Sequence, residues 1–188
     1  MRHYACLPPA PIERGAYALS TVQDSDVELI RHWRNAQMDV LRQTSPIGFE
    51  QQQAYFANSI WPTLEQAQPT NILVTYHRDG RPIGYGGLVH VAWEHLRAEV
   101  SFLLAPELAA DRASYAECFS VYLALIKQLG FSALGFQRLF TETYAMRTDH
   151  IAILERNGFV REGRMRRHVR IDGEFVDSLI HGCLRDND

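Results

Sequence analysis

Apolar and polar residues alternate through the run RAEVSFLLAPE, Arg97 to Glu107. Ala98, Val100, Phe102 and Leu104 interleave with Glu99, Ser101 and Leu103 before Pro106 ends any regular ladder. This period predicts a strand. The preceding run PIGYGGLVHVAW, Pro82 to Trp93, offers it an antiparallel partner across a turn at Glu94 to Leu96, and Ser114 to Leu129 is long enough for a helix that covers the sheet. The strand is therefore expected to be central. Its one carboxylate, Glu99, then needs a partner, a water chain or a chemical role.

The rest of the chain supplies further elements. Residues Met1 to Arg14 contain Pro8, Pro9 and Pro11 and show no period, so residues 1–15 read as a flexible leader and 16–188 as a single domain. A strand is predicted over Ala16 to Val22. A helix follows near Asp26 to Ala36, capped by Asp24 or Ser25, with Val27, Ile30 and Trp33 at helical spacing. Glu50 to Trp61 reads as a second helix that Pro62 stops. Asn71 to Tyr76 reads as a strand, turned by Asp79-Gly80 into the Pro82 strand. Beyond the long helix come a strand at Arg138 to Tyr144 and a helix at Ile151 to Arg156, with Asp149 as its cap and Gly158 as its breaker. A hairpin of Phe159 to Val169 and Glu174 to Cys183 closes the chain around Asp172-Gly173. Helices before and between strands give an α+β fold, and no fixed-period repeat appears.

Composition narrows the class. At 188 residues the chain suits one domain, and 46% apolar with 22% charged residues is ordinary for a globular protein. A formal charge of -3 argues against nucleic acid or an anionic membrane as the main partner, and no apolar run reaches the roughly 18–20 residues that span a bilayer. Cys6, Cys118 and Cys183 are isolated and odd in number, which points to reduced thiols in a cytoplasmic setting. The histidines are scattered, and no compact Cys, His and carboxylate spacing supports a metal.

The order of elements and the words at their joints resemble the GNAT superfamily of N-acetyltransferases, in particular its branch acting on ribosomal-protein N-termini and amino sugars. The words are HWRN (His32 to Asn35), IGYGG within the Pro82 to Val89 strand, AEVSF (Ala98 to Phe102), LAPE (Leu104 to Glu107) and LERNGFVREG (Leu154 to Gly163). The resemblance runs from about Ala16 to Leu184. It implies a mixed, mostly antiparallel sheet whose two middle strands splay, with acetyl-CoA or another acyl-CoA as cosubstrate entering the opening. The pantetheine arm would pair with backbone at Phe102, Leu103, Leu104 and Ala105. One departure is marked: the family's glycine-rich pyrophosphate turn is replaced by ELAADRASYAE, Glu107 to Glu117, which has no glycine. Arg112 and Ser114 either take over part of that role or are a solvated arginine and a helix cap; otherwise CoA is placed differently or not bound. Arg147 and His150 stand where the family favours asparagine and serine, and either reach a cofactor phosphate or face water.

The resemblance also assigns chemistry. Glu99 would be the general base, directly or through water, unless it is ion-paired to a neighbouring arginine. The family's acid tyrosine falls on Leu154, which leaves Tyr144, His150 or water to protonate the departing thiolate. A backbone N–H near Leu103 or Leu104 would polarise the carbonyl. Trp33 is expected in the core. Arg34 and Asn35 would orient the acceptor or hold the turn after their helix, and His90 and Trp93 would border the acceptor side. The cluster Arg161, Arg164, Arg166, Arg167, His168 and Arg170 suits a phosphate-bearing acceptor, an exposed strand or a homodimer surface equally. The expected activity is transfer of an acetyl group by direct attack of a primary amine on a small molecule or peptide. A nucleotide-linked amino sugar is preferred to a protein N-terminus, and the competing reading is a non-catalytic CoA-binding or interaction module.

Overall fold

The period-two stretches become one eight-stranded sheet in the computed structural model, which describes residues 1–187. In chain order the strands are β1 (Ile12–Arg14), β2 (Tyr17–Thr21), β3 (Ile72–Arg78), β4 (Arg81–Ala92), β5 (Arg97–Leu104), β6 (Arg138–Tyr144), β7 (Val160–Ile171) and β8 (Glu174–Leu184). They lie in the order β1-β2-β3-β4-β5-β6-β8-β7, and only the β5–β6 pairing is parallel. This is the mixed, mostly antiparallel α+β architecture expected from the sequence.

Helices cover both faces. On one side α1 (Asp26–Asn35) and α2 (Phe49–Tyr55), the latter prolonged by a π-helical turn at Phe56–Ile60, bury Val27, Ile30, Trp33, Phe56 and Ile60 against Leu73, Tyr85 and Leu103. On the other, α4 (Arg112–Lys127) buries Cys118, Phe119, Tyr122 and Leu125 against Val100, Leu104 and Leu139, with α5 (Thr148–Arg156) beside it. The single turn α3 (Pro106–Ala109) starts where Pro106 stops β5. Leu103 and Leu104 thus serve opposite cores, which is why β5 is apolar on both faces.

Three local expectations need correction. The leader is not loose: Tyr4 is fully buried, its hydroxyl accepts from Leu73 N–H at 3.0 Å, and the Arg2 guanidinium lies 3.9 Å from the Trp61 ring centre. A buried aromatic with a satisfied hydroxyl anchors a segment that has no period of its own. Helix α5 starts one turn earlier than expected, capped at Arg147, which puts Asp149 inside its first turn. Helix α4 is capped by Asp111, whose carboxylate accepts from Ser114 N–H at 2.7 Å.

Two irregularities shape the middle of the sheet. Gly87 has φ 133°, and a Cβ on Gly86 or Gly87 would collide with the carbonyl oxygens of Ser101 and Ile72 respectively. Here Tyr122 reaches in from α4, accepting from Gly87 N–H and donating to Ser101 C=O, both at 2.7 Å. One hydroxyl links the two strands where Gly87 faces Ser101. Next to it, β5 and β6 pair only at Arg97–Arg138, Ala98–Leu139 and Glu99–Phe140. Beyond Glu99 both strands continue, β5 against β4 and β6 against β8, but they no longer pair with each other.

Replacing Tyr122 by Phe removes the link and strands two buried backbone groups. The unfolding free energy is expected to fall by about 1–3 kcal/mol, read as a lower urea midpoint at unchanged slope. A midpoint equal to the parent's would mean that the two strands pair directly without the hydroxyl.

Candidate active site

The gap between β5 and β6 is a cavity of about 210 Å³ lined by Glu99, Ser101, Phe102, Thr141, Glu142 and Thr143, among others. It adjoins two larger spaces. Arg34, Val89 and Ser101 also line a pocket of about 370 Å³ between α1, α2 and the sheet. Val40, Arg147 and His150 also line a groove of about 760 Å³ between α4 and α5. Pocket, cleft and groove therefore adjoin along one path across the sheet, with shared walls at each junction.

Backbone polarity in the cleft follows from register. Ala105 N–H donates to Ile83 C=O at 2.8 Å on the β4 side, and by alternation Leu103 also faces β4 while Phe102 and Leu104 turn their N–H and C=O groups toward the open edge. Of the stretch Phe102 to Ala105, only Phe102 and Leu104 can offer backbone to a guest. The Leu104 carbonyl is already held by Gln37 Nε2 at 2.9 Å.

Glu99 stands at the vertex, mostly buried, with Arg42 Nη2 at 3.0 Å and His90 Nε2 at 3.7 Å. Arg42 also reaches Glu142 at 3.1 Å, and His168 approaches Glu142 at 3.5 Å. Two carboxylates from neighbouring strands thus share one guanidinium. Asn35 delivers that guanidinium: its side chain accepts from Ile47 N–H and Gln43 Nε2 and donates to Ile47 C=O, which pins the loop carrying Arg42. These bonds make Asn35 a residue that positions the loop. Arg34 does line the pocket, donating to Tyr85 Oη at 2.6 Å and to Gln43 Oε1 at 3.1 Å.

A second constellation guards the groove. Tyr115 Oη lies 2.8 Å from His150 Nδ1 and accepts from Arg147 Nη2 at 3.0 Å, while the His150 ring stacks on Phe119 with centres 4.2 Å apart. Burial, followed by the nearby Arg147 and His181, pushes the His150 pKa well below the ordinary 6.5. In the tautomer that carries its proton on Nε2, the neutral ring accepts at Nδ1 from the Tyr115 hydroxyl. Tyr144 lines none of these three spaces; it is buried at the end of β6, and burial pushes its pKa up. Trp93 is likewise outside them, donating to Pro69 C=O at 2.9 Å and packing on Phe136.

The groove has a distinctive charge pattern. At the α4 N-terminus the Asp111 carboxylate takes the Ser114 N–H, and that bond holds its pKa below the usual range. Ser114 therefore has no free amide for a phosphate. Arg112 is mostly exposed and pairs with Asp149 at 2.5 Å, so it is a surface cation at the groove's rim. The hairpin arginines sit elsewhere: Arg164 pairs with Asp177, Arg170 bonds the Gly173 carbonyl, and no arginine of β7 lines the passage. Among the described residues no three His, Cys, Asp or Glu side chains gather to hold a metal, and no helix is long and apolar enough to cross a membrane.

Sequence reasoning missed Arg42, Glu142, Tyr115 and Gln37. Glu142 had a signal, since in RLFTETY it falls two residues after Phe140, the partner of Glu99, and so on the same face. Arg42 and Gln37 sit in an aperiodic loop and had none.

Residues 19–180 match the family described as Acetyltransferase (GNAT) domain. No curated protein matches the chain in sequence. Solved structures share the fold: a spermidine N-acetyltransferase from Vibrio cholerae in complex with CoA and spermine superposes with a TM-score of 0.78 at 16% identity, covering 93% of this chain and 98% of its own. A dodecameric structure of spermidine N-acetyltransferase from Vibrio cholerae gives 0.73 at 17% identity, covering 92% and 96%. A probable acetyltransferase gives 0.72 at 18%, covering 95% and 99%.

The buried His150 also makes stability depend on pH. The unfolded chain protonates His150 near 6.5 and the folded chain does so only well below it, so this contribution is complete above 6.5 and is lost as pH falls below that value. Thermal melts of His150→Gln from pH 7.5 to 5 are expected to fall less steeply with pH than the parent's. Parallel curves would remove the buried neutral imidazole from the account.

Proposed function

The chain belongs to the GNAT acetyltransferase family, and on that premise we propose that it is an acyl-CoA-dependent N-acetyltransferase in which a primary amine attacks the thioester directly. The observation that carries this reading is the β5–β6 gap: pairing stops after Glu99–Phe140, and the resulting cleft shares wall residues with a pocket on one side and with a groove of about 760 Å³ on the other. Acetyl-CoA supplies the activated acyl group. The Phe102 and Leu104 backbone at the free edge of β5 suits the amide groups of a pantetheine arm, with the Phe102 or Leu104 N–H also able to polarise a carbonyl there. Arg147, and Arg112 at the rim, supply positive charge for phosphates. Asp111 opposes them, so the groove relies on arginine side chains and not on helix amides.

The structure has the arginine ion pair that stood as the alternative for Glu99, and the proposed role of Glu99 as base, directly or through water, therefore requires Arg42 to shift its hold toward Glu142. Tyr115, aligned between Arg147 and His150, is the proposed proton donor to the departing thiolate, in place of the tyrosine that this chain lacks at Leu154 and of Tyr144. His90 contributes only as a second, exposed neighbour of Glu99. For the acceptor, a nucleotide-linked amino sugar loses the support of the hairpin arginines, which lie off the passage. A protein N-terminus and a polyamine, the latter from the fold's solved relatives, are the other classes to test. A non-catalytic interaction module that does not hold CoA is favoured by one observation, the Asp111 carboxylate at the α4 N-terminus, where a phosphate would otherwise sit.

Thiol release from acetyl-CoA with a panel of primary amines, beside calorimetric titration with CoA, tests the proposal. Glu99→Gln is expected to lower kcat by about 10²–10⁴-fold with CoA affinity unchanged, and Tyr115→Phe to lower kcat more than KM. Saturable CoA binding without thiol release for any amine would support the binding-module reading instead.

A further inference from the structure

The pocket between α1, α2 and the sheet carries an unbalanced charge. Its lining is largely apolar and aromatic, with Ile30, Ile47, Phe56 and Leu73 as walls and Tyr55 and Tyr85 as phenols, and its one charged side chain is Arg34. Arg34 is half-buried, and among the described residues no carboxylate lies within ion-pairing distance of it. Its Nε and Nη1 are fixed by Gln43 and Tyr85, both neutral, while Nη2 has no protein partner. The carboxylates that line the adjoining cleft, Glu99 and Glu142, are already claimed by Arg42, with His90 and His168 beside them. A guanidinium held this firmly in a concave apolar site, without a counterion, is preorganised for an anion that arrives from outside.

We propose that the acceptor carries an anionic group, a carboxylate or a phosphate, bound by Arg34 with its amine directed toward Ser101 and Glu99 and its apolar body in the pocket. This rests on the acetyltransferase reading of the same site. The geometry sorts acceptors by charge. Arg34 and Arg42 both line the cleft that a guest enters from this side, so a polycation meets two guanidinium groups, whereas an amine that also carries an anion sets that anion against Arg34. Tyr85 and Gln43 are positioning residues, since they fix the guanidinium plane.

The test uses the whole chain with acetyl-CoA and matched acceptors: phenylalanine against phenethylamine, 2-aminoethyl phosphate against ethanolamine, and spermidine. Thiol release gives kcat/KM, and calorimetry gives binding of each compound without turnover. The member of each pair that carries the carboxylate or phosphate is expected to exceed the partner that lacks it by ~10-fold or more. Arg34→Met should collapse that ratio mainly through KM, and Arg34→Lys should keep part of it. Tyr85→Phe, a milder change, should weaken the ratio should Arg34→Met fail to fold. The carboxylate and phosphate pairs distinguish the two anions. Turnover that favours phenethylamine, ethanolamine or spermidine, or an anion preference that survives Arg34→Met, overturns the proposal while leaving the transferase reading intact. Arg34-dependent binding of the anionic compounds without thiol release upholds the anion site and removes the transferase. Neither binding nor turnover of any anionic compound overturns it as well.

Discussion

Two parallel strands that pair at only three positions leave backbone behind. Once β5 and β6 part after Glu99–Phe140, the N–H and C=O groups on the open edge of β5 have no ladder to satisfy them. Unpaired strand edges are costly when buried and adhesive when exposed. The protein meets this constraint piecemeal: Gln37 caps the Leu104 carbonyl, and the rest of the edge faces a cavity instead of a core. Tyr122 matters for the same reason one strand away. By joining Gly87 to Ser101 through a hydroxyl, it holds β5 onto β4 beside the place where β5 has lost its other neighbour.

The electrostatics of the passage follow from where the loops fall. Arg42 lies between Glu99 and Glu142, so the vertex of the gap is a shared ion pair and not an isolated buried carboxylate. Under the proposed function, Glu142 is the second partner that would keep Arg42 paired if Glu99 took up a proton. The groove works differently. Its helix terminus is already capped by Asp111, so side-chain cations are what remain to meet a polyphosphate.

The sheet was legible because its signals are local. Alternation in Arg97–Leu104, the Asp79-Gly80 and Asp172-Gly173 turns, both with positive φ at each residue, and the Pro106 stop each act within a few residues. The family words identified the splay and the central carboxylate. What escaped was set by contacts distant in sequence. Tyr4 is buried through a partner 69 positions away, and Tyr115 meets His150 across 35. Arg42 reaches Glu99 across 57, from a loop that Asn35 shapes. The capping error at α4 had another origin: Asp111 and Ser114 are both good cap residues, and only the geometry shows which one accepts.

Residue-resolved amide exchange along β5 tests the central claim most directly. If the edge is open and receives an acyl-CoA arm, the Phe102 and Leu104 amides exchange faster than the Leu103 amide in the free protein and become protected when CoA is added. Equal, strong protection of all three amides without CoA, unchanged by its addition, would mean that the strands are closed and that the passage does not admit the arm.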